Sequence, residues 1–128
     1  MNRSELSQFI LETYPAESDH PWLKYPENEV LRHSSNKKWF ALIMEVEKRR
    51  LGLDEAGTLT VVNLKCDPLL LGSLRQEPGF FPAYHMSKTR WITAALDGSV
   101  PDEKIKMLVE LSYQATAPKP RRSKGTKA

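Results

Sequence analysis

The chain carries one cysteine, Cys66, in 128 residues, so no internal disulfide can form and, without a CxxC pair, a thiolate zinc site has no ligands. Long apolar runs are missing as well. The longest, Trp39 to Met44, spans six residues, far short of the roughly 20 that cross a bilayer. Residues 1–5 lack the apolar core of a secretory leader, so the expectation is a cytoplasmic protein with no membrane partner. The three histidines, His20, His33 and His85, stand far apart, with no i, i+4 pair and no HExxH pattern, which removes the recognisable transition-metal motifs. At 40% hydrophobic and 27% charged, the composition is that of an ordinary globular domain, able to bury about two-thirds of its surface without staples. No cofactor is implied.

What charge there is sits unevenly. Residues 1–117 hold 14 basic and 16 acidic side chains, a net −2. Residues 118–128 hold Lys119, Arg121, Arg122, Lys124 and Lys127 and no acid, a net +5. The basic balance of the chain therefore belongs to its end. With nothing apolar to bury, 118–128 reads as a disordered basic tail on a single domain spanning 1–117. Such a tail adds non-specific attraction to polyanions or serves only solubility.

Apolar spacing then predicts the elements. Leu6, Phe9, Ile10 and Thr13 follow one helical face, with Ser4 as a candidate N-cap. Pro15, Pro21 and Pro26 mark a loop whose Trp22, Leu23 and Tyr25 should pack back on the core. Residues 28–34 and 38–47 read as a β-hairpin, the second strand apolar at both parities and so covered on both faces. A charged loop over 48–57 precedes a strand over 58–66. Asp67-Pro68 starts a helix with Leu70, Leu71 and Leu74 as its stripe. A second hairpin pairs 80–86 with 91–96, and a final helix from about 101 turns Ile105, Leu108, Val109 and Ser112 inward. Core positions are Leu6, Phe9, Ile10, Leu42, Met44, Val62, Leu64, Leu70, Leu74, Ile92, Ile105, Leu108 and Val109. Trp22, Trp39 and Trp91 are expected half-buried at the sheet edge. Hairpins in place of βαβ alternation predict an α+β domain with an antiparallel sheet and helices packed on it.

The segments Lys38 to Ile43, Asn63 to Pro68, Ala83 to Lys88 with Trp91-Ile92, Leu96 to Glu103 and Leu111 to Tyr113 resemble, in order and spacing, the MmcQ/YjbR family of small bacterial proteins. The resemblance runs from about residue 5 to about residue 115. It implies a frataxin-like α+β fold and a DNA-binding role through a "double wing" of two hairpins; the same scaffold in frataxins handles iron.

The residues offer material for several chemistries. Lys37 and Lys38 at the first hairpin turn, Lys48, Arg49 and Arg50 in the next loop, and Lys88 and Arg90 in the second hairpin are candidate phosphate contacts for weak, non-specific, salt-sensitive DNA binding. The competing reading is that cations collect at wet turns. A second candidate is a small-ligand or protein-interaction adaptor of the same scaffold, with Tyr84, His85 and Trp91 as the cluster; strand alternation would put Tyr84 and Met86 on one side and His85 on the other. Cys66 with His85 could imitate a nucleophile and base, but no third group orients them, and a thiol at the end of an apolar strand is ordinarily inert. No catalytic and no metal residues are assigned. Glu5 and Glu12 on the first helix, with Glu17 and Asp19 beyond, stand two turns or more apart and should be solvated. A monomer is the default.

Overall fold

The computed structural model describes residues 1–118, so the basic residues from Lys119 onward lie outside the described residues. Helix α1 (Arg3–Thr13) leads into an edge strand β1 (Ala16–Asp19), then β2 (Glu29–His33), β3 (Trp39–Glu47), a single 3-10 turn (Lys48–Leu51), β4 (Thr58–Lys65), α2 (Pro68–Leu74), β5 (Phe80–Pro82), β6 (Trp91–Ala95) and α3 (Asp102–Thr116). The six strands form one sheet in the order β1-β2-β3-β4-β6-β5, antiparallel throughout. This is the α+β arrangement that the hairpin pattern predicts.

Several boundaries differ from the sequence expectation, each for a local reason. Asn2, not Ser4, caps α1: its side chain accepts from the Glu5 N–H while the Glu5 carboxylate accepts from the Asn2 N–H, a reciprocal box that satisfies two orphan donors. The segment expected to be all loop contains β1, whose four residues pair with Val30 to His33. In α2 Leu71 and Leu74 are buried, but Leu70 is exposed, because the seven-residue helix presents too narrow a face for a third leucine. The strand expected over 80–86 stops at Pro82, where a residue without an N–H cannot carry the ladder further.

All three helices pack on one face of the sheet. Leu6 and Ile10 of α1, Leu71 and Leu74 of α2, and Ile105, Leu108 and Val109 of α3 close over Leu31, Ile43, Val62, Leu64, Ile92 and Ala94. The opposite face, made of Val30, Leu42, Met44, Val46, Leu59, Val61 and Ala95, carries no helix among the described residues; Phe81 of β5 and Trp22, Leu51, Leu53, Tyr84 and Met86 from connecting segments cover it in part. The doubly apolar run in β3 has two causes. Its alternation serves both faces, and a bulge at Phe40 adds a residue: Leu31 lies opposite Ala41 and Arg32 opposite Trp39, so Phe40 is left without a ladder partner on β2.

That bulge is stitched to α3. The Ser112 hydroxyl donates to the Phe40 carbonyl at 2.5 Å and accepts from the Lys65 N–H at 2.9 Å, fully buried. It thus replaces the β3–β4 pairing that the bulge interrupts. One turn later Thr116 donates to the Ser112 carbonyl and stands 2.8 Å from Nε2 of His33. With its proton used, the Thr116 hydroxyl accepts, which places the His33 proton on Nε2. The imidazole stacks on Tyr113 at 4.1 Å and meets the edge of Phe40 at 5.1 Å, and burial pulls its pKa below the ordinary 6.5.

Two outcomes follow for stability. Ser112→Ala leaves the buried Phe40 carbonyl and the part-buried Lys65 N–H unpaired and should cost about 2–6 kcal/mol, at ~1–3 kcal/mol per group, read as a lower urea midpoint. The neutral His33 ring is the folded form. Its contribution is complete above the unfolded pKa near 6.5 and is lost as the pH falls through the depressed folded value. Urea series between about pH 7.5 and 5 should therefore show stability declining with acid, and His33→Gln should flatten that decline.

Candidate ligand cleft and the basic side chains

Incomplete cover on the helix-free face leaves a cleft of about 560 Å³. Its floor is Leu42, Met44 and Val46, the residues of β3 that point away from the helices. Trp22 and Tyr25, from the connection between β1 and β2, and Trp39 form one wall. The Trp22 and Trp39 rings meet edge to face with centroids 5.6 Å apart. Trp22 is half-buried, whereas Trp39 is 37% exposed, more open than the edge-closing role expected of it. A second hollow beside α1 is shallower, and its buried carboxylate, Glu29, is already engaged by the hydroxyls of Ser7 and Ser18.

The opposite wall is Tyr84, His85 and Met86. Two buried polar residues on neighbouring strands hold this segment in place. Asn63 of β4 donates its amide to the Tyr84 carbonyl at 2.8 Å, and Thr93 of β6 accepts from the Tyr84 N–H at 2.9 Å while its own proton goes to Asn63. Both polar groups of the Tyr84 backbone are therefore satisfied by side chains, and no strand is needed there. Freed from strand alternation, Tyr84 and His85 line the same cleft, which corrects the expectation that they face opposite sides. Their rings lie 4.0 Å apart, and His85 adopts a left-handed backbone with φ 58°, a conformation that few side chains occupy without surrounding support. Trp91, grouped with them on sequence grounds, does not line the cleft.

Arg50 and Glu47 complete the rim. The Arg50 Nε donates to the Glu47 carboxylate at 2.9 Å. Glu47 first, then the Tyr84 hydroxyl, push the guanidinium pKa further above its already high value, so this rim charge is permanent. The 48–50 turn reaches the site because β3 ends at Glu47 and the chain folds back over the helix-free face, with Leu51 and Leu53 packed on it.

The other candidate cations divide between the two ends of the sheet. The turn holding Lys37 and Lys38 precedes Trp39, and the segment holding Lys88 and Arg90 precedes Trp91. The pairs Ala41–Leu64 and Lys65–Trp91 place both at one end. Lys48, Arg49 and Arg50 follow the pair Glu47–Thr58 at the other end, roughly 25–30 Å away along the strand. Acids or carbonyls occupy most of them: Lys37 pairs with Glu17 at 2.6 Å, Lys48 with Glu55 at 3.1 Å, and the Lys88 ammonium donates to the Ala83 carbonyl at 2.8 Å. Lys38, Arg49 and Arg90 have no ion pair among the described residues.

The other chemistry-bearing residues are dispersed. Cys66 is buried in the helix-side core, and burial pushes its thiol pKa up, the reverse of an activated nucleophile; His85 is on the other face. Glu5 caps its own helix, while Glu17 and Asp19 both pair with Arg32. Among the described residues no three His, Cys, Asp or Glu side chains come together, and no helix is long and apolar enough to cross a membrane.

Sequence reasoning missed Trp22, Trp39 and Tyr25 as wall residues and Asn28 as a polar wall group. For Trp22 and Tyr25 the one signal was the apolar content of a proline-punctuated loop, which does not say where it packs; that loop packs only in part, since Leu23, expected to lie back on the core, is 98% exposed.

Comparisons with known proteins agree on this architecture. The YjbR family model matches residues 11–115. The Bacillus subtilis protein named "Uncharacterized protein YyaQ" is 40% identical over 116 residues, covering 91% of this chain and 98% of the relative. The Escherichia coli K12 protein named "Uncharacterized protein YjbR" is 41% identical over 76 residues, covering 59% of this chain and 56% of its own. A crystal structure of a Pseudomonas syringae protein superposes with TM-score 0.88 at 42% identity, covering 91% of this chain and all of that one. The Deinococcus radiodurans protein DR2400, with a DUF419 domain, superposes with TM-score 0.71 at 27% identity, covering 92% and 80%. Matched across most of its length in sequence and in fold, the chain belongs to the YjbR family.

Proposed function

We propose that this protein is a non-catalytic binding module for a small, largely planar molecule, which it takes into the cleft on the helix-free face of the sheet. The observation that carries this reading is the cleft itself. At about 560 Å³ it falls within the roughly 300–1,000 Å³ of small-molecule sites, with an apolar floor and few polar groups. Tryptophan and tyrosine walls supply large contact area with few torsions to freeze. The Asn63 and Thr93 hydrogen bonds hold Tyr84 in place before any ligand arrives, so binding would not have to order that wall.

The three tryptophans supply the test. In ¹H–¹⁵N spectra of the full chain, a planar aromatic fragment set should shift the indole N–H signals of Trp22 and Trp39 and leave that of Trp91 in place. Trp39→Ala should weaken the same binding by about tenfold. Fragments that leave Trp22 and Trp39 unmoved, or move only Trp91, overturn the reading.

A second reading, weak nucleic-acid binding, draws support from the shared end of the two hairpin turns, where Lys38 and Arg90 have no ion pair among the described residues. Phosphate contacts of this kind are read out by salt: affinity for duplex DNA should fall steeply between about 50 and 200 mM. Lys38→Glu with Arg90→Glu should lower affinity alike for unrelated sequences. Binding that the double variant leaves unchanged removes the hairpin ends from the contact, and no binding at low salt removes the reading.

A further inference from the structure

We infer that the cleft selects a planar aromatic compound carrying a single carboxylate, with Arg50 receiving the carboxylate and Asn28 donating to an acceptor on the body of the ligand. This rests on the cleft reading above and adds the class of ligand. The first support is Asn28, only 7% exposed and yet a wall residue of the cleft. β2 begins at Glu29, and Asn28 just before it prolongs the edge: its Oδ1 accepts from the Glu45 N–H at 3.4 Å, and its own N–H donates to the Tyr25 carbonyl at 3.0 Å. With the side-chain oxygen engaged by the strand, the amide NH₂ of this cleft-lining residue has no acceptor among the described residues. Although the residue is buried, water reaches this nitrogen, so an acceptor on a ligand would take the place of that water. In a cleft otherwise walled by Trp22, Tyr25, Trp39 and Tyr84, it is a directional group placed among rings.

The second support is the charge of the rim. Arg50 uses Nε on Glu47 and stands beside the Tyr84 hydroxyl, so its terminal NH₂ groups, which meet no second acid, are the donors a ligand carboxylate would engage. Glu47 already offsets much of that charge. A phosphate dianion would meet Glu47 at close range with one arginine to balance two charges, whereas a monoanion leaves the rim near neutrality. A neutral aromatic would fill the walls and leave the fork unused. The arrangement therefore favours one negative charge over none or two.

Three probes separate these cases: naphthalene-2-carboxylate, naphthalene-2-carboxamide and adenosine monophosphate, each titrated calorimetrically into the full chain and followed at the indole signals. The carboxylate should bind about tenfold or more tightly than the carboxamide. Arg50→Gln, at a side chain exposed enough to leave the fold intact, should remove that preference by lowering carboxylate binding far more than carboxamide binding. Asn28→Asp retains the oxygen that Glu45 N–H needs and replaces the donor with a negative charge, so it should reduce carboxylate binding more than carboxamide binding. Equal affinity for acid and amide, or an equal loss of both in Arg50→Gln, overturns the carboxylate inference and leaves the cleft as a binding site. Tighter binding of the nucleotide than of the carboxylate overturns it in favour of a phosphate ligand. Titrations in which none of the three probes moves Trp22 or Trp39 overturn the cleft reading as well.

Discussion

A six-stranded antiparallel sheet has two faces to shield from water, and this chain places α1, α2 and α3 on one of them. β3 makes the imbalance acute. Its Phe40, Ala41 and Ile43 go to the helix side, but Leu42, Met44 and Val46 are equally apolar and face the other way. At ~25 cal/mol per Å² of apolar surface, leaving such a strip in water costs several kcal/mol, so connecting segments must cover it. Those segments bring Trp22, Leu51, Leu53, Tyr84 and Met86 onto the face. They lack the continuous stripe that a helix provides, and cover from both sides that does not meet in the middle is the cleft.

Loops laid on an apolar face need partners for their backbone, and here those partners are polar residues set into strands. Asn63 and Thr93 sit among apolar neighbours on β4 and β6, fully buried, and between them satisfy the carbonyl and the N–H of Tyr84. On the helix side Ser112 does the same for the bulged Phe40. Each polar residue serves backbone where regular pairing stops: at the bulge in β3, and beyond Pro82, where β5 ends. Polar interruptions of an apolar pattern thus mark the points at which irregular backbone is held in place, and one of those points positions a wall of the cleft.

The division between what was legible in the sequence and what was not follows the range of the interactions. The α3 stripe, including Ser112, and the Asp67-Pro68 start of α2 depend on neighbours within one or two turns, and both stand where the local pattern puts them. The antiparallel sheet follows from hairpins whose turns are short. The cleft depends on contacts across the fold. Trp22 meets Trp39 across 17 positions of sequence, and Tyr84 owes its place to Asn63 and Thr93; periodicity within a segment carries neither relation. Reading 80–86 as a strand therefore set Tyr84 and His85 on opposite faces, because alternation holds only while the ladder supplies the hydrogen bonds, and here side chains supply them. The ring pair Tyr84 and His85 was legible as a cluster from adjacency in the sequence, whereas Trp91, grouped with them on the same ground, belongs to the ladder opposite Lys65.

Charge divides in the same manner. Counting cations along the chain makes Lys37, Lys48 and Arg50 equivalent, each at a wet turn. Their partners make them different. Glu17 holds Lys37 and is itself held below the usual carboxylate range chiefly by that pair, and Lys48 is taken by Glu55; both are exposed contacts, weak and screened by salt. Arg50 also has an acid, Glu47, but it stands on the rim of an apolar cleft beside Tyr84. A ligand that covers the rim removes water from around Arg50 and weakens the screening, so a bond between ligand and guanidinium strengthens as the ring fills the cleft. Lys37 and Lys48 have no such apolar surface to be sealed against. A side chain counted with six other cations as one of many possible phosphate contacts is thereby set apart from them by its neighbours, and the same apolar face that the helices leave uncovered gives that single charge its environment.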